Sequence, residues 1–454
     1  MSPPTGSSPT LNYPIRVRIP FISTSFARNL WYYALLWPVW WLLGIDQLLL
    51  PFFALYEMAR FLIRGNRRVR LNATTMFALL LALWWVVPII WVDRDFLDIF
   101  LKETSSIWAQ ALMLILLLNS IRTREEWWLA VRALTVMAVY TAAAGLIFTF
   151  GVWRGSLTSA LGTMLPASRV ASSAFFSSIA IRKFGAMATG DGLFPFRLMG
   201  FSWSFSALSM ICLLLIPLVY WRYQIARGRP RLFYLGVLGG LMMCLVLTES
   251  RLAYLAFLAG VALYCALRLG LLREPNRPFT IALALTGVGA ALLFGYLALG
   301  PIREVIQSVF VNLRPASWLE RLNIFVVTFR LLPEHLIAGW GVPVRIAGTS
   351  SVYSAGTHSS YLGMLFQHGI IGLLLYLGLW LSLWRVVIRE LRRRHASRHL
   401  ALFWMAIAFA FLAFNLREAA DTWWWDLSLL YVAWLQWGLV MAAPRVMETR
   451  ESDE

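Results

Sequence analysis

The sequence predicts an all-α polytopic membrane protein with about twelve transmembrane helices and two long exported loops that carry short helices. Three observations support this fold class: an apolar composition, apolar runs of membrane-spanning length, and arginines gathered in short loops. Of the 454 residues, 60% are hydrophobic and only 14% are charged. One soluble core cannot bury so much apolar side chain, so a soluble globular domain is excluded.

Apolar runs recur along the whole chain, and each is about 17 to 25 residues long, enough to cross a hydrocarbon layer of about 30 Å. The candidate spans lie near residues 28–44, 46–63, 73–92, 106–121, 127–151, 198–221, 232–249, 252–271, 279–299, 359–387, 399–415 and 422–441. The first two runs are short, and Asp46 lies between them. They therefore form either two spans or one tilted span with an interfacial segment.

Basic residues mark one side of these spans. The basic loops are RGNRRVR from Arg64, RTR from Arg122, RYQIARGRPR from Arg222, RLGLLREPNR from Arg268 and RVVIRELRRRHASRH from Arg385. All of them fall on the same side, which the positive-inside rule assigns to the cytoplasm, so both termini are expected there. The net charge of +18 is explained mainly by these basic loops, which are attracted to anionic lipid at the cytoplasmic face. Its spread over separate loops argues against a nucleic-acid-binding face.

This topology divides the chain into segments of different character. They are a leader (1–27), N-terminal transmembrane helices (28–151), a first exported loop (152–197), central transmembrane helices (198–299), a second exported loop (300–357), C-terminal transmembrane helices (358–441) and a cytoplasmic tail (442–454). The leader is rich in Pro and Ser and has no apolar core. It is therefore expected to be disordered and not a cleavable signal peptide.

The two exported loops contain a surplus of cations that the orientation rule does not require. The first contains Arg154, Arg169, Arg182, Lys183 and Arg197, and the second contains Arg303, Arg314, Arg321, Arg330 and Arg345. An anionic ligand would explain the surplus. Most of these residues are explained equally well as solvated loop residues, because long loops are exported whatever their charge.

Arg197 and Arg251 lie at the boundary of the bilayer, where an arginine is costly unless it is paired or faces a polar cavity. Arg197 opens RLMGFSWSFSALSM directly before a span, and Arg251 lies in TESRLAYLAF between two adjacent spans. Two interpretations remain open. Either both arginines bind an anion, or Arg251 pairs with Glu249 while Arg197 extends its head group to the interface.

His358 lies where the second exported loop gives way to the apolar run SSYLGMLFQHGIIGLLLYLGLW. An imidazole at a membrane surface can exchange protons near neutral pH. Gly369 and Gly372 are expected to let the helix pack closely on a neighbour, and His368 is expected to be a packed helix residue. Two guanidinium groups and an imidazole on one side are suited to holding a diphosphate and moving a proton.

Arg417, Glu418 and Asp421 lie on the predicted outer turn between the last two spans. They form either an ion-paired hairpin or part of a binding site for an acceptor or a diphosphate. Trp340 and Trp203 are candidates for stacking on a sugar, although tryptophans in such a chain mostly mark the membrane interface. The loop that ends at Trp340 is expected to form amphipathic helices over the site. No carboxylate cluster has the character of a metal site, so no metal or other cofactor is expected.

Four motifs follow one another between residues 197 and 387: RLMGFSWSFSALSM, LTESRLAYLAF, ERLNIFVVTFRLLPEHLIAGWGVP and HSSYLGMLFQHGIIGLLLYL. In this order and spacing they resemble the bacterial O-antigen ligase-like family, which includes O-antigen ligases and Wzy-type polysaccharide polymerases. The chain departs from the family at Ser359 and Leu252, where Asn and Gly are common. It also lacks a Pro-Asn pair that is common at the place of Ser204 to Ser206.

The resemblance implies a GT-C-type, inverting, metal-independent glycosyltransferase of the bacterial inner membrane. Its donor is a glycan on undecaprenyl diphosphate, and its acceptor is a hydroxyl at the periplasmic face. By the same resemblance Arg197 and Arg251 bind the diphosphate, Arg321 is a further contact, and His358 removes or orients the acceptor proton. The acceptor stays open between a lipid A core sugar, the end of another glycan chain and a protein hydroxyl.

Two rival functions also follow from the sequence. A lipid-linked oligosaccharide flippase or transporter shares the span count and can use the same arginines for an anionic cargo, and a scaffold for envelope assembly needs only the helices. Transporters tend to have internal repeats and polar groups at mid-membrane, whereas this sequence has no repeat and its notable charges cluster at one face. A scaffold leaves the boundary arginines unexplained.

Overall fold

Long α-helices dominate the computed structural model. It describes residues 25–64, 69–150, 155–188, 196–202, 204–270, 315–346, 354–393, 397–419, 421–422 and 427–448. The predicted span at 279–299 lies outside these described residues, as do Trp203 and the tryptophans at 423–425.

The N-terminal part consists of six helices. These are α1 (Phe26–Leu35), α2 (Trp37–Leu43), α3 (Asp46–Arg64), α4 (Ala73–Trp85), α5 (Leu97–Ser120) and α6 (Arg124–Phe150). Pro38 has no N–H to continue the hydrogen bonds of α1, and it divides α1 from α2. α3 folds back on α1, since Asn29 donates to the Glu57 carboxylate at 2.6 Å and Tyr33 packs on Phe53. The first two apolar runs thus form a helical hairpin, and whether they make two spans or one span with an interfacial segment stays a prediction.

The segment after α6 contains a small sheet that the sequence did not predict. Its elements are β1 (Gly155–Thr158), α7 (Ala160–Met164), α8 (Ala167–Ser172), α9 (Ala174–Ala180), β2 (Ile181–Ala188) and β3 (Phe196–Gly200). The three strands pair antiparallel in the order β1-β2-β3. The buried Arg182 side chain of β2 pairs with Asp46 at the start of α3, and this ion pair joins the sheet to the first hairpin.

Strand β3 corrects the predicted start of one span. The hydropathy pattern places that start at residue 198, whereas the helix begins at Phe205, after the strand. Leu198 is buried within the bundle as a strand residue, so its apolar character does not indicate helix. The helix begins where the Ser204 hydroxyl accepts a hydrogen bond from the Ala207 N–H at 3.1 Å, a typical N-terminal cap.

Among the described residues after the sheet, there are seven longer helices. They are α10 (Phe205–Ile225), α11 (Arg229–Leu247), α12 (Arg251–Arg268), α13 (Pro315–Leu331), α14 (Ser360–Arg392), α15 (Arg398–Glu418) and α16 (Leu427–Glu448). In the second exported segment, the short strands β4 (Val344–Arg345) and β5 (Ser354–Ala355) pair antiparallel.

Eight helical segments of the described residues are long and apolar enough to cross a membrane. They are Ala73–Ile90, Arg94–Ser120, Arg124–Phe150, Phe205–Ile225, Arg229–Leu247, Arg251–Arg268, Ser360–Arg392 and Arg398–Glu418. The polytopic, largely helical fold class is therefore confirmed, with two small sheets added. The count of about twelve spans stays a prediction.

Helix α10 lies at the centre of the bundle. Fifteen of its 21 residues are buried, and they lie on all its sides, as expected for a helix that is apolar all round. It packs against α11 and α15, α12 packs on α15, and α14 packs on α4. The start of α10 is thereby held at a fixed place relative to the ends of its neighbours.

The described parts of the basic loops meet at one end of the bundle. There the Asn119 amide donates to the backbone carbonyl of Arg70 at 2.9 Å. The indole N–H of Trp221 donates to the carbonyl of His399 at 2.9 Å, and its ring stacks on Trp128 at a centroid distance of 5.5 Å. The starts of α10, α12 and α14 lie at the opposite end. Which face of the membrane each end takes stays a prediction.

Helix α14 is broken at Gly369, which the sequence did not predict. Gly369 has φ +68° and ψ −171°, a conformation that essentially only glycine adopts. Three backbone hydrogen bonds join the break to segment 336–341 of the second exported loop. The N–H groups of Trp340 and Gly341 donate to the carbonyls of Phe366 and Gln367 at 2.9 and 2.7 Å, and that of Ile370 donates to the carbonyl of Leu336 at 2.9 Å. Gly369 thus serves a backbone turn, whereas Gly372 does approach a neighbour, Trp84 of α4.

The break divides α14 into a first arm, residues 360–368, and a second arm, residues 370–392. At about 1.5 Å per residue the second arm is about 35 Å long, which by itself is enough to cross the membrane. His358 therefore precedes the short first arm, and the predicted span at 359–387 contains a break at Gly369.

We expect Gly369→Ala to destabilise the protein by about 2 kcal/mol or more, because the backbone conformation disfavours any side chain. Its Cβ would also lie 2.0 Å from the carbonyl oxygen of Ile337. Gly236→Ala in α11 is the matched control, since a Cβ there meets nothing within 4 Å. The control should be neutral or stabilise by less than about 1 kcal/mol. Thermal unfolding midpoints in detergent measure both effects, and equal midpoints would contradict the assigned role of Gly369.

Candidate functional site

The end of the bundle opposite the basic loops brings together the starts of α10, α12 and α14 and the end of α15. The start of a helix carries backbone N–H groups without intrahelical partners and a partial positive charge. Such ends favour anions, and arginines beside them strengthen that preference. The sequence-predicted residues Arg251, His358, Arg417, Glu418 and Asp421 lie on or directly beside these segments, and Arg197 lies on β3, which precedes α10.

Arg197 of β3 is tied to the turn that precedes α12. Its Nε–H donates to the carbonyl of Thr248 at 2.9 Å, and its Nη2 group donates to the carbonyl of Glu249 at 3.3 Å. Its guanidinium also lies 3.3 Å from the centre of the Phe205 ring. Arg251 is the first residue of α12, two positions after Glu249. The segments that carry the two boundary arginines are therefore in contact. Arg197 forms hydrogen bonds with the protein and does not simply extend its head group to the membrane interface.

Two non-glycine residues in the described part of the chain have left-handed backbone, and both lie at this end. Glu249 has φ +47° and His358 has φ +61°. Such conformations cost free energy, persist only where surrounding contacts enforce them, and cluster at functional sites. The first lies beside Arg251, and the second is the predicted base itself.

His358 is placed by the local structure at the start of α14. Ser359 is the N-cap, and its hydroxyl accepts a hydrogen bond from the Leu362 N–H at 3.2 Å. On the other side, the Thr357 hydroxyl donates to the carbonyl of Ser354 at 2.6 Å. His358 is half-buried between these two anchored residues.

Arg417, Glu418 and Asp421 form what we call the α15-end cluster. Arg417 pairs with Asp421 through Nη2 and Oδ2 at 2.8 Å, so the predicted ion pair forms. Arg417 also donates to the Ser206 hydroxyl of α10 at 2.5 Å, and the Ser206 hydroxyl in turn donates to Asp421. The Ser360 hydroxyl donates to the backbone carbonyl of Asp421 at 2.9 Å. The cluster therefore links the start of α10 to the start of α14.

Glu418, the residue after Arg417, accepts hydrogen bonds from uncharged side chains on α14 and α15. It is fully buried, and its carboxylate accepts hydrogen bonds from the hydroxyls of Tyr361 and Tyr376 and from the amide of Asn415. The Asn415 carbonyl oxygen in turn accepts from the Trp384 indole at 2.8 Å. These uncharged partners are polar residues that sequence reasoning missed, because tyrosine and asparagine in an apolar helix give no charge signal.

Arg321 on α13 lies near the α15-end cluster. Burial lowers the pKa of its guanidinium, the nearby Asp421 carboxylate raises that pKa, and the Arg417 cation lowers it further. Asp421 thus faces two arginines. The predicted association of Arg321 with this end of the molecule is consistent with that placement.

Trp340 packs the second loop against α14. Its indole N–H donates to the carbonyl of Leu331 at 3.2 Å, and its ring stacks on Phe366 at 6.0 Å and meets His335 edge-on at 4.5 Å. Trp340 is half-buried, and its stacking on a sugar stays a prediction. His368 is fully buried against Trp85, as the prediction of a packed histidine requires.

Among the described residues, no set of three or more His, Cys, Asp or Glu side chains could hold a metal ion. The charged groups at this end include four arginines, whose chemistry suits anions.

Comparisons with known proteins point to one family. A family model described as O-antigen ligase matches residues 236–377, which include Arg251, Arg321 and His358. An O-antigen ligase of Pseudomonas aeruginosa strain PAO1 is 32% identical over 232 residues, which is 48% of this chain and 51% of that protein. The match thus spans about half the length of that curated relative. These findings confirm the resemblance to the O-antigen ligase-like family.

We expect Asp421→Asn to destabilise the protein by about 3 kcal/mol, because it removes the carboxylate partner of the buried Arg417 and the anion nearest Arg321. Arg389→Gln is the matched control at the basic end. Arg389 is half exposed, and its partner Glu390 keeps a second arginine, Arg393. That change should cost less than about 1 kcal/mol. Unfolding midpoints compare the two, and a smaller loss for Asp421→Asn than for the control would refute the assignment.

Proposed function

We propose that this O-antigen ligase-like chain is a GT-C-type glycosyltransferase of the bacterial inner membrane. It moves a glycan from undecaprenyl diphosphate to an acceptor hydroxyl at the periplasmic face, in the synthesis of cell-envelope polysaccharide. One observation carries the proposal: the hydrogen bonds from Arg197 to the turn before Arg251 bring two guanidinium-bearing segments together. They lie at the same end of the bundle as His358.

The leaving group explains the need for two arginines. Transfer breaks the bond between the sugar's anomeric carbon and the diphosphate oxygen, and negative charge develops on that oxygen. Guanidinium groups at low dielectric neutralise such charge through paired N–H donors without a metal ion. In this proposal Arg251 and Arg197 bind the diphosphate, and Arg321 is a further contact on the side of Asp421.

The acceptor hydroxyl supplies the new bond. Its oxygen attacks the anomeric carbon from the face opposite the diphosphate, so the configuration inverts, and undecaprenyl diphosphate leaves. The hydroxyl proton passes to the imidazole of His358, which acts as the general base or orients that hydroxyl. Within the proposal, Arg417 and Asp421 support the site, because Arg417 is already engaged by Asp421 and Ser206.

The proposed orientation places the basic loops in the cytoplasm and the arginine-rich end outside. The leader (1–27) and tail (442–454) then lie in the cytoplasm, and the loops at 152–197 and 300–357 face the periplasm. The acceptor is a lipid A core sugar, the end of another repeat-unit chain or a protein hydroxyl, and the donor-binding residues serve each of these equally.

Purified protein in liposomes, supplied with lipid-linked oligosaccharide and acceptor, should form the transferred or lengthened glycan and release undecaprenyl diphosphate. His358→Ala should lower the rate by about 100-fold or more, because it removes the base. His399→Ala at the basic end is the control and should leave the rate unchanged. Movement of the lipid across the bilayer without glycan transfer would instead identify a flippase and overturn the proposal.

Arg197→Lys should raise the donor KM by about 10-fold or more, almost as much as Arg197→Ala. A lysine ammonium cannot reproduce the planar set of donors that Arg197 directs at the 248–249 carbonyls while it faces an anion. Arg231→Lys, which alters an arginine beside Tyr223 at the basic end, is the control. Donor titrations of transfer rate provide the measurement, and full activity of Arg197→Lys would argue against diphosphate binding by Arg197.

A further inference from the structure

We infer that Glu418 is a positioning residue, whose carboxylate ties the two arms of α14 together across the break at Gly369 and so holds His358 in place. The inference rests on the proposed function, because His358 has a reaction to serve only there. Glu418 itself contacts neither donor nor acceptor in this inference.

The two carboxylate oxygens of Glu418 contact opposite sides of the break. Oε2 accepts from the Tyr361 hydroxyl at 3.4 Å, and Tyr361 lies in the first arm, three residues after His358. Oε1 accepts from the hydroxyl of Tyr376, which lies in the second arm. The Asn415 amide donates to Oε2 at 3.2 Å and fixes the carboxylate from its own helix. One buried group on α15 therefore bridges both arms.

The first arm needs such a bridge because the helix does not continue through Gly369. In an unbroken helix, hydrogen bonds between successive turns would set the position of residues 360–368 relative to the spanning arm. Here the carbonyls of Phe366 and Gln367 accept from loop backbone instead. The arm is consequently positioned by its side contacts, and Glu418 contributes the contact that also reaches the second arm.

A second contact from the same segment supports this geometry. The Ser360 hydroxyl donates to the backbone carbonyl of Asp421 at 2.9 Å, one turn beyond Glu418. Residues 418 and 421 thus hold adjacent residues of the first arm, Tyr361 and Ser360, directly after His358. The start of the arm is held at two points, which fixes where the imidazole is presented.

Stability alone does not account for a carboxylate at this place. Burying a carboxyl group is costly even with hydrogen-bond donors, and a well-packed apolar residue of similar size is often equally stabilising. Because its hydrogen-bond donors lie on both arms of the broken helix, the carboxylate sets the position of one arm relative to the other. Misplacement of a reacting group by about 1 Å can cost about 100-fold in rate, so a tie of this kind has kinetic consequences.

The test compares Glu418→Gln, Glu418→Ala, Tyr361→Phe and Tyr376→Phe in the liposome transfer assay. We expect kcat to fall by about 10-fold for Tyr361→Phe and by up to about 100-fold for Glu418→Ala, with the donor KM within about twofold of wild type. Glu418→Gln keeps one acceptor oxygen and should be intermediate. In the Glu418→Ala background, Tyr361→Phe should have a smaller effect than in wild type, because the contact with Glu418 is already lost and only the Tyr361 contact with the Asn415 carbonyl at 3.4 Å is left.

Two control variants lie at the basic end. Tyr264→Phe removes a hydroxyl that bonds Gln224 at 3.1 Å, and Glu390→Gln alters a buried carboxylate bonded by arginines. Both should leave kcat unchanged. Hydrogen exchange of the amides at 360–368 gives a readout that does not depend on activity. Exchange there should rise in Glu418→Ala and Tyr361→Phe and stay at the wild-type level in the controls.

The outcomes separate this inference from the proposed function. If wild type transfers glycan but the Glu418 and Tyr361 variants keep full kcat, or if their kcat falls together with a rise in donor KM, the positioning role is wrong. Unchanged exchange at 360–368 would also overturn it. If wild type shows no transfer at all, the proposed function fails and the positioning role falls with it, whereas the tie between the two arms is still judged by the exchange data.

Discussion

The buried charges at the end of α15 are the constraint on which the outer end of this protein depends. Arg417 and Glu418 are both removed from solvent, and a buried charge is tolerated only when its hydrogen-bonding groups are satisfied. Arg417 takes its partners from α10 and Asp421, and Glu418 takes its partners from both arms of α14. The requirement to satisfy these two side chains therefore fixes the starts of α10 and α14 relative to each other.

Hydropathy and charge predicted the helical bundle well because both are properties of single segments. The start of α10 and the break in α14 escaped prediction for a different reason. Leu198 belongs to a strand because it pairs with Ala186 of another strand, twelve residues earlier in the chain. The first arm of α14 ends at Gly369 because segment 336–341 makes the backbone hydrogen bonds of the residues around the break. A contact made by a distant segment leaves no periodic pattern in the segment that receives it.

Some residues of the candidate site could be predicted from the sequence and others could not. Arg197, Arg251 and His358 were recognisable because a titratable group at a membrane boundary is conspicuous in an apolar sequence. Ser206, Tyr361 and Tyr376 were not, since each is common in helices and carries no charge. The left-handed backbone of Glu249 and His358 could not be predicted from the sequence either, because glycine is the residue that usually indicates this conformation. Trp340 was conspicuous as an aromatic residue in a loop; it packs on Phe366, and its contact with a sugar stays a prediction.

The pairing of segment 336–341 with the broken helix imposes an order on biogenesis. The loop is synthesised before α14, and its N–H groups satisfy carbonyls that would otherwise be left without partners near the lipid. If the loop is exported as proposed, helix α14 can be completed only after the loop has reached that side of the membrane. A chain inserted with the loop on the wrong side would have an incomplete helix next to His358, so correct topology becomes a condition for assembling the site.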